Sequence, residues 1–222
     1  MSDLLPIFPL PNVVLFPGVF LPLHIFEPRY REMVADALTS DRMIGMVLLR
    51  PGWQHQYDGR PPVYPVGCSG VITHVESLAD GRYNIVLRGV ERFRILEEDA
   101  SRNYRRAIVE SVPEGTGSPD DRGAVRQQRA KLEALLAPTI ERSLSGTGRL
   151  AAISSARDSK IPSTMADEDL VNALAQYLDL EPLEKQALLE QANLRCRAES
   201  LVELLEMKLL MARTPGLSNV AH

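Results

Sequence analysis

Lysine is nearly missing from this chain: there are four, Lys131, Lys160, Lys185 and Lys208, all in the second half. Phosphate cradles of the G-x-x-x-x-G-K-[ST] kind need a lysine closing a glycine-rich loop, and Gly146-Thr147-Gly148-Arg149 supplies neither the length nor the lysine. A nucleotide-driven machine is therefore not expected. Cysteine is scarcer still. Cys68 and Cys196 stand one in each half at no metal-ligand spacing, which suits small buried side chains in a reducing cytoplasm better than a disulfide framework. The histidines, His24, His55, His74 and His222, share no H-x-x-x-H or H-E-x-x-H spacing, so neither a metal site nor a cofactor is expected. Acids and bases are nearly balanced on both sides of Val112, and the net charge of −4 offers no long-range attraction for nucleic acid or an anionic membrane.

Charge is absent altogether from Leu4 to Phe26, a run long enough to suggest a membrane helix or a signal sequence. Proline excludes the helix. Pro6, Pro9, Pro11, Pro17 and Pro22 punctuate the run, and each would cost a helix interior about 3 kcal/mol. With no basic residues ahead of the run there is no signal-peptide pattern either, so an uncleaved, soluble, cytoplasmic chain is expected. What remains is extended chain: Val13 to Phe16 as one strand, a Pro17-Gly18 turn, and Val19 to Phe26 as a second strand whose Pro22 suits a sheet edge.

Beyond it, Glu27-Pro28 opens a helix with Tyr30, Met33, Val34, Ala37 and Leu38 on one face. Met43 to Leu49, Val63 to Val75, Tyr83 to Leu96 and Tyr104 to Val112 read as strands, with Asp80-Gly81 as the tight turn between two of them. Gly67, Gly70 and Gly89 interrupt these strands, as bulges do where a small sheet curls into a barrel. Pro113 to Gly123 holds no apolar residue and reads as a linker. Afterwards apolar positions recur only at helical spacing, in segments that include Leu132 to Ile140, Leu170 to Leu178, a helix opening at Pro182, and Leu194 to Leu209. Short connections between them imply a bundle.

No residue set for chemistry emerges. Ser159-Lys160 is adjacent in sequence, which does not orient a lysine as base for a serine. Glu97-Glu98-Asp99 lies at a strand end and Asp167-Glu168-Asp169 at a helix start, where negative charge meets the positive end of the helix dipole. Arg82, Arg88, Arg92, Arg94, Arg102, Arg105 and Arg106 form a weak basic excess without stacking aromatics, and alternate arginines on a strand read as its solvent face. The loop Trp53-Gln54-His55-Gln56-Tyr57 carries the single tryptophan, which either meets a peptide or folds back on the barrel wall.

Three ordered segments resemble one family, the N-terminal substrate-recognition domain of the ATP-dependent protease Lon. LPIFPLPNVVLFPG, Leu5 to Gly18, with PLHIFEPRYREM, Pro22 to Met33, is similar to the family's opening. Val66 to Ile95 resembles its hairpin around a central Asp-Gly, and Asp169 to Leu205 its helical half. The ending FEPRYREM is more like stand-alone relatives and Lon-domain ring-finger proteins than the full protease. The resemblance implies an α+β fold: an N-terminal PUA-like β pseudo-barrel with one or more short helices over 1–112, a linker over 113–123, and a C-terminal α-helical bundle over 124–222.

With the chain stopping at His222, the ATPase and serine-lysine protease modules are expected to be absent. A "peptidase S16 lon domain" label would then describe relatives. The expected role is a non-catalytic, cytoplasmic protein-binding module for exposed apolar segments of unfolded or damaged proteins, or for a partner protein, with a resident Lon protease system as a further partner. Phe20, Trp53 and Tyr57 are the expected peptide contacts, with edge-strand backbone groups adding hydrogen bonds. An RNA-binding PUA-like module and a small ATP-independent hydrolase are the alternatives.

Overall fold

The computed structural model describes residues 4–56, 59–114, 118–145 and 164–213. The chain forms two compact units, Met1–Gly115 with Asn172–Gln191, and Thr116–Val171 with Ala192–His222.

The first unit is built on one sheet of six strands: β1 (Leu5–Leu10), β2 (Phe20–Ile25), β3 (Met43–Leu48), β4 (Val66–Ser77), β5 (Tyr83–Asp99) and β6 (Arg105–Val112), with helix α1 (Pro28–Leu38) between β2 and β3. The strand order is β2-β5-β4-β3-β1-β6, and β6 also pairs with β5. That second pairing closes β5-β4-β3-β1-β6 into a ring. Closure is possible because β5 is 17 residues long: Tyr83–Arg88 pair with β2, while Arg92–Asp99 pair with β6. β2 is thus left outside the ring as an edge strand. All pairings are antiparallel except β1 with β3.

Proline shaped one strand in a way the sequence pattern concealed. β1 carries Pro6 and Pro9, neither of which has an amide to donate. Leu5–Ile7 pair only with β6 and Ile7–Leu10 only with β3, Ile7 alone belonging to both ladders. Each proline therefore needs hydrogen-bonding partners on one side only. Val13 to Phe16, expected as a strand, pairs with nothing as a ladder, yet Val14, Leu15 and Phe16 are buried. The ring is already closed without them, and they pack as irregular chain before the turn at Gly18, whose φ of 77° fits the expected glycine turn.

Inside the ring, Ile7, Val47, Phe93 and Ala107 form a buried cluster. The Phe93 ring has room because Gly45 and Gly67 face it without side chains; a Cβ on Gly45 would stand 2.8 Å from Phe93 Cζ. Register shifts at Ser69/Gly70, Ile72/His74 and Ile95/Glu97 mark the bends that curl the sheet. Helix α1 buries Tyr30, Met33, Val34 and Ala37, with the Tyr30 and Phe8 ring centroids 4.4 Å apart. At the far end Tyr104 donates its hydroxyl to Asp36 at 2.7 Å, and burial, reinforced by that carboxylate, pushes the phenol up to about 12.

Asn172–Gln191, which the sequence reading assigns to the bundle, belongs to this first unit. The reason is a series of side-chain bonds to strand or turn carbonyls. Asn172 Nδ2 donates to the Pro17 carbonyl at 3.2 Å, Tyr177 Oη to Phe20 at 3.0 Å and Gln186 Nε2 to Val66 at 3.0 Å. Helix α4 (Pro182–Leu189) starts with proline at its first turn and a reciprocal capping box between Glu181 and Glu184.

In the second unit, helices α2 (Pro119–Ser145) and α5 (Leu194–Arg213) pack together, burying Val125 and Leu132 of one and Ala198, Leu201, Val202 and Leu205 of the other. α2 starts inside the stretch expected as linker. Its signal is polar: Ser118 Oγ and backbone N both donate to Asp121 Oδ2 at 2.9 Å, the Asp121 amide returns a bond to Ser118 Oγ at 3.1 Å, and Pro119 sits at the first position. Arg129, held by Glu133 at 2.9 Å and Asp167 at 3.0 Å, ties α2 to the start of α3 (Asp167–Tyr177).

Candidate functional site

The outer face of the β2–β5–β4 segment is one place where the first unit leaves large apolar groups in water, Leu96 and Leu183 being exposed elsewhere. Along β2 exposure alternates, with Phe20, Pro22 and His24 outward. Phe20 is 50% exposed and Phe26, just past the strand, 60%. Phe20 stands opposite Arg88, Pro22 opposite Val86 and His24 opposite Asn84 on β5; on the other side of β5, His74 stands opposite Val86 and Glu76 opposite Asn84. A groove of about 340 Å³ runs across these three strands, lined by Pro22, His24, His74, Asn84 and Val86 among others.

A polar chain fixes the end of this groove nearest the β4–β5 turn. Arg82 Nη1 lies 3.2 Å from His24 Nε2, and arginine can only donate, so that ring nitrogen accepts. His24 Nδ1 is then the protonated nitrogen and donates to Asn84 Oδ1 at 2.7 Å, leaving Asn84 Nδ2 to donate to Glu76 at 2.7 Å. Arg82 Nε also reaches Asp80 Oδ2 at 2.6 Å; the Arg82 amide, then its guanidinium, hold the Asp80 carboxyl below the ordinary carboxylate range. The edge strand is thus pinned to β5 and β4 by side chains as well as by its ladder. The His24 and Phe26 rings stack at 6.2 Å.

The free edge of β2 is less available than its face. In an antiparallel ladder alternate residues turn their backbone groups toward and away from the partner strand. Phe20's carbonyl accepts from Tyr177, and Pro22 has no amide, so Phe20, Pro22 and His24 are the residues turned away from β5. An incoming strand would find one carbonyl taken and one amide missing, the usual blunting of an exposed edge.

Of the residues singled out from sequence, Phe20 lies on this face. Trp53 opens a short helical turn, Trp53–Gln56, after β3, half-buried, and β3 is separated from β2 by β4 and β5. Tyr57 lies outside the described residues, as do Ser159 and Lys160. His24, Asn84 and Val86 were not singled out as contacts, although period-two alternation opposite Phe20 was the available signal.

Arg82, Arg88, Arg94 and Arg102 are exposed, as a solvent face requires, but Arg92 and Arg105 correct that reading. Arg92 is 1% exposed: its Nη1 donates to the Leu189 and Gln191 carbonyls at 2.9 and 2.5 Å, and its Nε lies 2.9 Å from Glu114 Oε1. Arg105 is buried too, bonded to both Glu98 oxygens and to the Pro61 carbonyl, and Arg106 pairs with Asp99. For Arg92, next to the interior Phe93, outward alternation was right; the outer face there is covered by the Asn172–Gln191 segment. Glu98 and Asp99 of the acidic cluster accordingly serve these pairs. Among the described residues no three His, Cys, Asp or Glu side chains converge on a metal position, and no helix is long and apolar enough to cross a membrane.

A ring of five strands with a sixth on its edge, followed by helices, is the PUA-like pseudo-barrel with a helical C-terminal part. The chain belongs to the ATP-dependent protease La (LON) substrate-binding domain family, whose model matches residues 4–207. It is 29% identical over 208 residues to Lon protease 2 of Myxococcus xanthus, covering 94% of this chain and 24% of that protein. It is 31% identical over 202 residues to the Lon protease of Paraburkholderia phytofirmans, covering 89% and 23%. The chain thus spans about a quarter of the length of these relatives. Among solved structures, the N-terminal domain of Mycobacterium avium complex Lon protease matches with a TM-score of 0.63 at 18% identity, over 92% of this chain and 98% of that one. A Lon N-terminal domain protein from Xanthomonas campestris matches at 0.56 and 23%, with the same coverage. At such identities the likeness concerns the fold.

Proposed function

We propose that this chain binds extended, apolar segments of unfolded or damaged polypeptide on the outer β2–β5–β4 face, without chemical turnover. The observation that carries the reading is the pair Phe20 and Phe26, half or more exposed yet on or beside a strand hydrogen-bonded to β5 and flanking a groove. Burying apolar area releases about 25 cal/mol per Å², and a ring held on a strand pays little further ordering entropy on binding. His24 and Asn84 are already engaged with one another, so an apolar side chain entering the groove beside them strands neither. Family membership supports the choice of a polypeptide ligand, and a Lon protease system is the proposed downstream partner. Trp53 and Tyr57 stay in the proposal as a second contact region on the loop after β3.

Fluorescence anisotropy of a dye-labelled globular protein, reduced and alkylated so that it cannot refold, measures the binding. Phe20→Ala is expected to weaken it roughly tenfold, as loss of an aromatic anchor does. Loss with Trp53→Ala alone would move the site to the loop; no loss with Phe20→Ala would remove the face from consideration.

A further inference from the structure

Among the described residues, one charged side chain of this face has neither a hydrogen-bond nor an ion-pair partner. Glu76 is bonded to Asn84, Asp80 to Arg82, and Arg82 in turn to His24. Arg88 is exposed and, among the described residues, makes no hydrogen bond or ion pair; it stands directly across the ladder from Phe20. Directly opposite residues of antiparallel strands hold their Cβ atoms about 5 Å apart, so the guanidinium and the exposed ring are presented as one surface. Tyr177, itself exposed, is bonded to the Phe20 carbonyl and adds a second aromatic ring at this end. His24 and His74, the other titratable groups lining the groove, lie toward the opposite end, where His24 is bonded to Arg82 and Asn84.

We propose that the face selects polypeptide segments in which a carboxylate lies beside an apolar side chain, the apolar group contacting Phe20 and the carboxylate pairing with Arg88. This rests on the face being the polypeptide site. Guanidinium matches carboxylate with two parallel hydrogen bonds, so the pairing selects carboxylate over other polar groups. Being at the rim, the pair adds discrimination more than affinity, and salt weakens it.

The test uses three labelled peptides of equal length and identical apolar residues, flanked by Gln, Asp or Lys. The protein is expected to bind the Asp peptide roughly three- to fivefold tighter than the Gln peptide, as an exposed ion pair allows, and the Lys peptide more weakly. Arg88→Gln is expected to keep the Gln-peptide affinity and abolish the ranking, and 0.5 M salt to shrink it in the unmutated protein. Among the described residues Arg88 has no partner to lose, and an unchanged circular dichroism spectrum checks that the variant folds. Equal affinity for all three peptides, or a ranking that survives in Arg88→Gln, overturns the proposal. If the Gln peptide binds and is lost in Phe20→Ala while no ranking appears, the face reading stands and the selectivity falls; if no peptide binds, both fall.

Discussion

Arg92→Met is expected to lower the unfolding free energy by about 3–5 kcal/mol, the cost typical of removing one partner from a buried ion pair. Arg92 is an interior cation by position: it leaves β5 on the outer face, where the Leu189 and Gln191 carbonyls and the Glu114 carboxylate converge on it. Methionine fills much of the space and donates nothing. Two carbonyls at the end of α4 and a largely buried carboxylate would be left without their cation. The loss should be local before it is global. Amide exchange is expected to accelerate first in Asn172–Gln191, the segment that Arg92, Val66 and Phe20 hold, while the ring β5-β4-β3-β1-β6 keeps its protection. Urea unfolding with exchange read by mass spectrometry checks both parts. A loss under 1 kcal/mol, or exchange that rises evenly over the unit, would show that the arginine does not hold the segment.

Gly89→Ala is expected to cost about 3 kcal/mol, at the upper end of overpacking effects. The position shows no unusual backbone angle, so strain in φ is not the reason. An added Cβ would fall on the carbonyl of Phe16, with Pro17 Cα 3.2 Å away, and these are backbone atoms with no rotamer to escape into. The Gly89 backbone is itself engaged there, its carbonyl accepting from Gly18 at 3.0 Å and its amide donating to Val19 at 2.8 Å. The turn that leads into β2 therefore has to move, and with it the row of Phe20, Pro22 and His24. Gly123→Ala is the internal control. It lies in α2 with no atom near a new Cβ, and the same substitution there is expected to stabilise by about 0.5–1 kcal/mol. Thermal and urea unfolding of the two variants should move in opposite directions; a neutral Gly89→Ala would mean that the turn is free to yield.

Much of this architecture is legible in the sequence because local chemistry forces it. Pro28 and the Tyr30-Met33-Val34-Ala37 stripe define α1, Gly18 takes the positive φ its turn requires, and Asp80-Gly81 marks the β4–β5 hairpin. Pattern fails where the environment is made by residues far along the chain. Pro6 and Pro9 look like strand breakers until one sees that β1 is paired on one side at a time. Val13 to Phe16 looks like a strand because its residues are apolar, but burial alone does not supply a partner ladder. Arg92 looks solvent-facing because a strand's alternation says outward, and nothing nearby announces that Leu189 and Gln191 will cover it. The candidate site divides the same way: Phe20 is visible as an aromatic on a proline-bearing edge, whereas Arg88 gains its meaning only from register with Phe20.

The central claim is that polypeptide is met on the outer β2–β5–β4 face. Nitrogen–proton correlation spectra of the labelled protein, recorded while an unlabelled apolar peptide is titrated in, address it directly. Shifts are expected to concentrate at Phe20, His24, Asn84, Val86 and Arg88, in fast or intermediate exchange and saturating together. Shifts confined to the Trp53–Gln56 turn or to the exposed Met207, Leu210 and Met211 of α5, with the β2–β5 resonances unmoved, would contradict it.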